Sequence, residues 1–401
     1  MLLLSLEKCP FNLDWLPPGS YLVGGAVRDA LLNIQRNYLD LDFIIPTDAI
    51  ALAQKIARHY RAGFVILDQQ RQIARVVFRK GTVDFALQEG DTLENDLARR
   101  DFTINAIAYN PHRDILLDTL GGLADLEQKQ LKMISVANLK DDPLRLLRAY
   151  RQAAQLNFTI ETNTRKQITN LAPLLAQVAP ERVRSELDYL LANPQGSYWL
   201  TQAYLDGILT IWLKSVTMTK LELLKKIEVN WLSSTWSSLE WETAIIPLTR
   251  LTCLVADNPL EAEAELIKLK YSRDVFTGIK SVLTHFADLE NNQDNFSLAQ
   301  QYFFFLGIGK NLPILAAYAL TQGINTKLIT LLLNRYSNPN DLVAHPQKLV
   351  TGNDLIKHLQ LKPSPKIGEL LTAIQLAQIE GKITTAREAL EYAKVIEQQN
   401  I

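Results

Sequence analysis

The stretch YLVGGAVRDALLNIQRNYLDLDFII, residues 21–45, decides the fold of the N-terminal part of this chain. Its pattern predicts a strand that ends at a Gly-Gly turn, a helix, and a second strand that carries Asp40 and Asp42. Side chains along a strand point to alternate faces, so the two carboxylates project from one face about 7 Å apart.

These residue types indicate phosphate chemistry. Carboxylates inside an apolar strand cost free energy unless they are paired or metal-bound, and two of them can hold divalent metal ions that activate a hydroxyl and stabilise a leaving phosphate. Gly24 and Gly25 stand where a strand leads into a helix, and backbone N–H groups at such a turn attract a phosphate. Alone, a D-x-D segment also fits solvated carboxylates, and a Gly-Gly pair also fits a simple turn. Together they suggest nucleotidyl transfer.

Composition bounds the class of protein. The chain has 401 residues, 47% of them hydrophobic and 21% charged, which is typical of a globular protein with two or more domains. The net charge is −1, so contacts to RNA must come from local basic patches. Cys9 and Cys253 give neither a disulfide framework nor zinc spacing. No uninterrupted apolar run reaches the roughly 18 residues of a membrane span, and no signal peptide is recognised, so a cytoplasmic location is expected.

The pattern along the chain changes near residue 130. Before it we expect mixed α/β structure, with a helix through 48–60 and strands in 63–68, 72–78 and 82–87, the last two joined as a hairpin. After it apolar residues recur at helical spacing, and no strands are expected. Predicted helix breaks fall near 194–196, 291–292 and 338–340.

Two further features favour structural roles. The segment GIGK, 307–310, lacks the spacing of a phosphate loop, so we expect a helix end there. Five of the six tryptophans lie in 199–241. Exposed aromatic rings can stack on RNA bases, but at helical spacing a core position is favoured.

Five ordered motifs resemble the class II tRNA nucleotidyltransferase and bacterial poly(A) polymerase family. They are GGAVRD with LDLDF (24–29, 39–43), RRDFTINAIAYN (99–110), DTLGGLADL (118–126), DDPLRLLRAYRQAA (141–154) and PERVRSEL (180–187). The C-terminal segment TGNDLIKHLQLKPSPKIGELL (351–371) also resembles that family, so the likeness runs over nearly the whole chain.

The resemblance implies an α/β N-terminal nucleotidyltransferase head of the polymerase-β type, followed by an all-α C-terminal half in an elongated multi-domain protein. The expected divisions are a catalytic head at 1–130, a helical neck with the nucleotide-base template at 131–200, and a tRNA-binding body and tail at 201–401. The implied activity is template-independent addition of C, A or both to the 3′ end of tRNA from CTP and ATP, with release of pyrophosphate.

The resemblance also implies which residues act. Asp40, Asp42 and Asp84 are expected to be catalytic and to bind the metal, Mg²⁺. The alternative for Asp84 is a solvated carboxylate near a turn. The residues expected to bind nucleotide are Gly24, Gly25, Arg28, Arg100, Asp101, Asn105, Asp142, Arg145, Arg148 and Arg151.

Within that set the roles differ. Arg28 and Arg100 are expected on the triphosphate, since guanidinium groups suit phosphate oxygens. Asp101 and Asn105 are expected on the sugar, although Asn105 could also be a polar helix cap.

The segment 141–154 predicts one slowly drifting helical stripe, because Asp142, Arg145, Arg148 and Arg151 recur at offsets of three. The resemblance makes Asp142 and Arg145 a protein template for the base. A carboxylate accepts from the exocyclic amino group of cytosine or adenine, a guanidinium donates to the ring nitrogen, and uracil and guanine would leave groups unpaired. The alternative makes Asp142 an N-cap ahead of Pro143.

The remaining motifs favour structural roles. Gly121 and Gly122 are expected at tight positions of a turn that starts a helix and could form a hinge. For Glu181 and Arg182, ion pairs of a neck helix are the preferred interpretation.

The sequence departs from the family pattern in one loop, and this loop bears on which nucleotides are added. Full CCA-adding members carry a longer flexible loop before the RRDFT motif, whereas here only eight residues separate Asp84 from Leu93. The short loop resembles CC-adding specialists, though it could also be a trait of a sub-lineage. CCA addition, CC addition, A addition, poly(A) polymerisation and a non-catalytic RNA-binding homologue thus stay as alternatives. Expected partners are the acceptor and TΨC arms of tRNA, with no membrane, in a monomer or weak homodimer.

Overall fold

A computed structural model describes residues 9–35, 38–227, 239–293 and 295–399, without the side chains of 239–243 and 399. The chain forms two compact units, Met1–Ile211 and Trp212–Ile401.

The first unit is built around a seven-stranded sheet with strand order β3-β4-β5-β2-β1-β6-β7. Only β2 and β5 run parallel, and the other neighbours are antiparallel. The strands are β1 Tyr21–Val23, β2 Leu39–Ile45, β3 Gly63–Asp68, β4 Ile73–Phe78, β5 Gly81–Leu87, β6 Ala108–Asn110 and β7 Ile115–Leu117. The strand, turn, helix and strand expected in 21–45 are confirmed, as is the β4–β5 hairpin.

Alternation along β2 separates the core from the candidate site. Leu41, Phe43 and Ile45 are buried, and the Phe43 ring stacks on Phe85 of β5 with centroids 5.9 Å apart. Asp40 and Asp42 therefore occupy the opposite face, as the spacing predicts.

Short helices connect and cover the sheet, and longer ones follow it. They are α1 Gly25–Leu31, α2 Ala49–Tyr60, α3 Leu93–Ala98, α4 Gly122–Glu127, α5 Val136–Asp141, α6 Leu144–Leu156, α7 Thr162–Leu171, α8 Pro180–Ala192 and α9 Gly196–Leu205. Helix α2 begins after Asp48, whose carboxylate accepts a hydrogen bond from Ala51 N, and it packs on β4 and β5. Short 3₁₀ helices at Leu13–Trp15, Thr103–Asn105, Ala172–Gln177 and Leu209–Ile211 complete this unit.

One expectation for the region after residue 130 is wrong in detail. Two-residue strands, β8 Gln130–Leu131 and β9 Thr159–Ile160, pair in parallel. They are too short to show any periodicity, and tertiary contact alone creates the pairing.

The described part of the second unit is helical. Its helices are α10 Met218–Leu224, α11 Leu239–Leu254, α12 Pro259–Lys268, α13 Arg273–Asn292, α14 Leu298–Ile308, α15 Leu312–Thr321, α16 Thr326–Ser337, α17 Gly352–Leu359, α18 Pro365–Ile379 and α19 Ala386–Gln399, with a 3₁₀ turn at Gly309–Asn311. The expected helix breaks are confirmed. Gly309 ends α14 with φ +49°, so the GIGK segment is a helix end.

Core positions are confirmed for the tryptophans whose side chains are described in this region. Trp199 and Trp212 are buried. The side chains of Trp231, Trp236 and Trp241 lie outside the described residues.

One helical stretch, Leu298–Thr321, is long and apolar enough to cross a membrane by length and composition, with a mean hydropathy of 1.5. Counting uninterrupted runs missed it, because polar residues such as Gln301 and Lys310 interrupt the run. In its most apolar window 61% of the residues are buried inside the protein, which is typical of a core helix.

The Gly-Gly turn before α4 is confirmed as tight. Gly121 has φ +77°. A Cβ on Gly122 would lie 2.9 Å from Ile107 Cγ1 and closer still to the carbonyl oxygen of Thr103. The Asp118 carboxylate accepts hydrogen bonds from Gly122 N and Leu123 N and so fixes the start of the helix.

Gly122→Ala is expected to lower the free energy of unfolding by about 1–3 kcal/mol, because the methyl group overlaps the Thr103 backbone. Thermal denaturation and urea unfolding measure the change. The matched control is Gly368→Ala within α18, where a Cβ meets nothing within 4 Å and helix propensity improves. A Gly122→Ala protein as stable as its parent would contradict the close approach.

Candidate active site

Carboxylates of adjacent strands form the first part of the site. The register places Asp42 beside Asp84 and Asp40 beside Thr82, whose hydroxyl donates to Asp40 Oδ1 at 2.7 Å. Parallel pairing of β2 with β5 thus brings Asp84 next to two carboxylates that precede it by 42 and 44 residues in the chain.

Asp84 already has a cationic partner. Arg75, its register partner on β4, donates from Nε to Oδ1 at 2.7 Å and from the other guanidinium arm to Oδ2 at 2.8 Å. This hydrogen-bonded pair raises the pKa of Arg75. The sequence analysis missed Arg75, although an arginine inside the apolar strand IARVVF signals a buried partner.

Asp42, one of these three carboxylates, has a clearly raised pKa. Burial raises its pKa to about 6; Arg100 opposes the rise, while Asp84 and Asp40 add to it by repulsion. A cation at this face would relieve the repulsion, so Asp40 and Asp42 fit a divalent metal. In the described residues, no three His, Cys, Asp or Glu side chains converge as a ready-made metal site.

The glycine turn lies directly beside Asp42. Gly24 has φ +75° and caps α1. A Cβ there would lie 3.1 Å from Asp42 Oδ2 and 3.4 Å from an Arg100 guanidinium nitrogen. The backbone, the carboxylate and the guanidinium therefore meet at one point that only glycine leaves open.

In the part of the chain that the structure describes, Arg100 has an ion-pair partner for only part of its guanidinium group. One guanidinium nitrogen lies 3.6 Å from Asp96 Oδ1. Its Nε is buried and has no hydrogen-bond partner among the described residues, and the same holds for the Nε of Arg148. Two buried cationic donors thus retain hydrogen-bonding capacity for an anion.

Arg28 lies beside the same turn. One of its nitrogens is 3.4 Å from the position of a Cβ on Gly25. Its Nε and one arm donate to Asp29 Oδ1 at 2.8 and 2.6 Å, and the other arm donates to Asn105 Oδ1 at 2.7 Å. These bonds fix the guanidinium next to the predicted phosphate position.

A buried polar cluster joins that arginine to the region after the sheet. We call it the Asp101 network; its members are Arg28, Asp101, Asn105, Arg148 and Gln152. Asp101 accepts from Asn105 Nδ2 at 2.9 Å and from Gln152 Nε2 at 3.3 Å, and it pairs with Arg148 at 3.0 Å. Burial alone would raise the pKa of Asp101, but the Arg148 charge and the hydrogen bonds hold it below its usual value.

The network decides between the two alternatives for Asn105 and adds a residue that the sequence did not reveal. The Asn105 side chain bonds Asp101, Arg28 and Gln152 and caps no helix, so the capping alternative is wrong. Gln152 was missed altogether. The signal was its position four residues after Arg148, which places both on one face of α6.

Asp142 is not on the predicted stripe, because α6 begins only at Leu144. Its carboxylate accepts a hydrogen bond from Leu144 N at 3.3 Å, so the capping interpretation holds in part. Both of its oxygens also accept from Arg182 of α8, at 3.2 and 2.8 Å. The expected neck-helix ion pair is thus confirmed for Arg182, and it touches the predicted base template.

The arginines of α6 face different neighbours. Offsets of three fall about 60° short of a full turn, so Arg145 and Arg151 diverge by about 120°. Arg145 donates to the carbonyl oxygens of Arg99 and Asn138 at 2.8 and 3.0 Å. Arg151 instead pairs with Glu186 of α8.

The segment between β5 and α3 is short and held at both ends. Only residues 88–92 separate the two elements. Gln88 N donates to Ile45 O, and Glu89 N donates to Asp96 Oδ2, each at 2.9 Å. Thr92 caps α3. Hydrogen bonds at residues 88, 89 and 92 therefore hold most of this five-residue connection in place.

Family models cover both units. The poly A polymerase head domain matches residues 20–132. The probable RNA and SrmB-binding site of polymerase A matches 157–219, and the putative tRNA nucleotidyltransferase domain 2 matches 239–393.

Known proteins resemble the chain over nearly its full length. A CC-adding tRNA nucleotidyltransferase of Synechocystis sp. is 48% identical over 97% of this chain and 96% of its own. A CC-adding tRNA nucleotidyltransferase of Geobacter sulfurreducens is 30% identical over 93% and 91%. The solved structure of the Thermotoga maritima CCA-adding enzyme complexed with tRNA shares the fold, with a TM-score of 0.70, 21% identity and coverage of 94% and 90%.

The polymerase-β-like head, the helical half and the identity to two tRNA nucleotidyltransferases lead to one assignment. The chain is a nucleotidyltransferase and belongs to the tRNA nucleotidyltransferase family.

Proposed function

We propose that the protein adds two cytidines to the 3′ end of tRNA, using CTP and releasing pyrophosphate. The observation that carries the proposal is the meeting of the Gly24 turn, the Asp42 carboxylate and the Arg100 guanidinium at one point. A backbone phosphate cradle, a metal-fitting carboxylate and a cation are what nucleotidyl transfer requires at the α-phosphate.

The triphosphate would lie along this turn. Backbone N–H groups of Gly24 and Gly25, at the start of α1, would donate to it, and Arg28 stands beside Gly25 with its orientation fixed by Asp29. Arg100 would use its buried, unpartnered Nε on a phosphate oxygen. Such charge-assisted bonds are the strong ones, since both partners are ionised.

Asp40 and Asp42 would hold the divalent metal on which the family depends, and we propose Mg²⁺. When bound, the metal lowers the pKa of the attacking 3′-hydroxyl and neutralises the leaving group. Thr82 orients Asp40 through its hydroxyl. Asp84 would join as third carboxylate only by sharing its oxygens with Arg75, which now binds both.

The sugar and the base would be read by separate groups. Asp101 and Asn105 would select a ribose, because a 2′-hydroxyl can donate a hydrogen bond to the acceptor oxygens of these side chains and a 2′-deoxy sugar cannot. Asp142 and Arg145 would form the base template for cytosine. Arg182 donates to both oxygens of Asp142, so the amino group of the base would have to share the carboxylate with that guanidinium or displace one of its bonds.

Arg148 has a nucleotide role in this proposal through its unpartnered Nε. Arg151 has protein partners in Glu186 and Gln155, and its nucleotide contact stays a prediction. The domain divisions, the monomer or weak homodimer and the cytoplasmic location stay predictions as well.

Termination after two cytidines is supported by the connection 88–92. In this proposal a mobile element must reorient the base template between C and A addition, and a short segment held by Ile45 and Asp96 has little reach to do so. The names of the Synechocystis and Geobacter relatives agree with this product. Full CCA addition is the second candidate.

Asp40→Ala and Asp42→Ala are each expected to abolish cytidine incorporation while tRNA binding stays nearly unchanged, because they remove metal ligands and not RNA contacts. Incorporation of labelled CTP and filter binding of tRNA measure the two properties. Chelation of Mg²⁺ should stop the parent enzyme, and added Mg²⁺ should restore it. The control is Asp14→Ala, an exposed carboxylate of the same unit. Parent-like turnover of either variant with Mg²⁺ would refute the metal assignment.

Asp142→Ala and Arg145→Ala are expected to relax base choice by about 1–3 kcal/mol, the usual worth of a bidentate base contact. Single-nucleotide incorporation of CTP, ATP, UTP and GTP measures it. Asp48→Ala is the matched control, since it removes a helix cap far along the chain from the template. If UTP and GTP stay excluded as strongly as in the parent, Asp142 is a cap and no template.

A tRNA that lacks its CCA end should gain two nucleotides when CTP and ATP are supplied together, with the final A slow or missing. Gel electrophoresis at single-nucleotide resolution measures the product. A tRNA already ending in CC serves as the control, and it should not be extended with ATP. A CCA product formed as fast as the CC step would refute the argument from the short connection. Long A tracts would instead indicate poly(A) polymerisation.

A further inference from the structure

Gln152 is a buried polar residue without a role in the function proposed so far. It is 2% exposed and lies on α6, while its hydrogen-bond partners Arg28, Asp101 and Asn105 come from distant parts of the chain. A buried carboxamide is tolerated only when it is hydrogen-bonded, so its partners explain why it is there.

The carboxamide uses both ends. Its Oε1 accepts from Asn105 Nδ2 at 2.9 Å and, at 3.4 Å, from Arg28. Its Nε2 donates to Asp101 Oδ2 at 3.3 Å. Gln152 therefore contacts each of the two groups proposed to read the sugar.

These bonds determine which way the Asn105 amide faces. The two hydrogens of Nδ2 go to Asp101 and Gln152, and Oδ1 accepts from Arg28. An amide oxygen has two lone pairs, so Oδ1 keeps acceptor capacity for a hydroxyl donor. A reversed amide would present donors where the acceptor now lies.

Gln152 also helps to hold the Asp101 carboxylate in place. That carboxylate receives four donors: Phe102 N, Asn105 Nδ2, Gln152 Nε2 and an Arg148 arm. Removing the Gln152 amide leaves one buried acceptor site of Asp101 and one buried hydrogen of Asn105 unpaired. Unpaired buried polar groups are costly, so the side chains would reorient or admit water.

We propose that Gln152 is a positioning residue for ribose recognition: it fixes the orientation of Asn105 and Asp101 so that the site distinguishes CTP from dCTP. The inference rests on the proposed function, in which these two residues read the 2′-hydroxyl. It adds a residue of α6 to the determinants of sugar choice.

The test compares Gln152→Leu with the parent enzyme, measuring kcat and KM for CTP and dCTP on a tRNA that lacks CCA. The preference for CTP, as the ratio of the two kcat/KM values, should fall about tenfold, with the loss falling on CTP and little change for dCTP. Gln301→Leu is the matched control. Gln301 is a similarly buried glutamine of the second unit that donates to Phe296 O, and its replacement should leave the ratio unchanged.

Each outcome separates the hypotheses. A parent enzyme that incorporates no cytidine overturns the proposed function. A parent that discriminates, with a Gln152→Leu variant whose two kcat/KM values fall equally, overturns only the role of Gln152 and leaves it a packing residue. If Gln152→Leu does not fold, Gln152→Glu decides, since it keeps an acceptor for Asn105 but repels Asp101. An unchanged preference in that variant would overturn the inference.

Discussion

Burial of the Asp101 carboxylate is the constraint on which the organisation of the first unit depends. A buried charge is costly unless it is paired and hydrogen-bonded, and here Arg148 and Gln152 of α6 supply part of that pairing while Asn105 supplies another part. The carboxylate thus ties α6 to the segment that follows α3. Losing one donor would affect its neighbours too, because the same groups bond one another.

The carboxylates of the sheet differ from Asp101, because their negative charges are only partly compensated. Asp40, Asp42 and Asp84 lie on neighbouring parallel strands without enough cations to neutralise them all, and the pKa of Asp42 rises to about 6 as a result of burial and repulsion. Arg75 compensates Asp84, and Arg100 partly compensates Asp42. An arrangement that repels itself in the absence of a cation is suited to binding one when substrate arrives.

Several side chains that the proposed function assigns to the nucleotide or the metal already have partners within the protein. Arg182 holds Asp142, backbone carbonyls hold Arg145, and Arg75 holds Asp84. Such internal partners keep the charged groups satisfied, and in the proposed function nucleotide binding would share or exchange them. The choice of base and sugar would then depend on which of these internal hydrogen bonds a nucleotide can replace with equally good ones.

The sequence by itself determined the elements and the family. The turn at Gly24 and Gly25, the alternation that puts Asp40 and Asp42 on one face, and the hairpin of β4 and β5 depend on local periodicity and turn chemistry, which act over a few residues. The five ordered motifs carried the resemblance that the comparisons then confirmed.

Only the tertiary structure decided which charged and polar side chains pair with one another. The bonds of Asp84 to Arg75, of Asp142 to Arg182 and of Gln152 to Asp101 join side chains on different elements. The Asp142 to Arg182 and Gln152 to Asp101 bonds span 40 and 51 residues. Asp142 lies off the predicted stripe because α6 begins only at Leu144, and the drift of about 60° per step directs Arg145 and Arg151 to different neighbours. Periodicity specifies the face of an element, whereas the partner on that face depends on packing that no local pattern encodes.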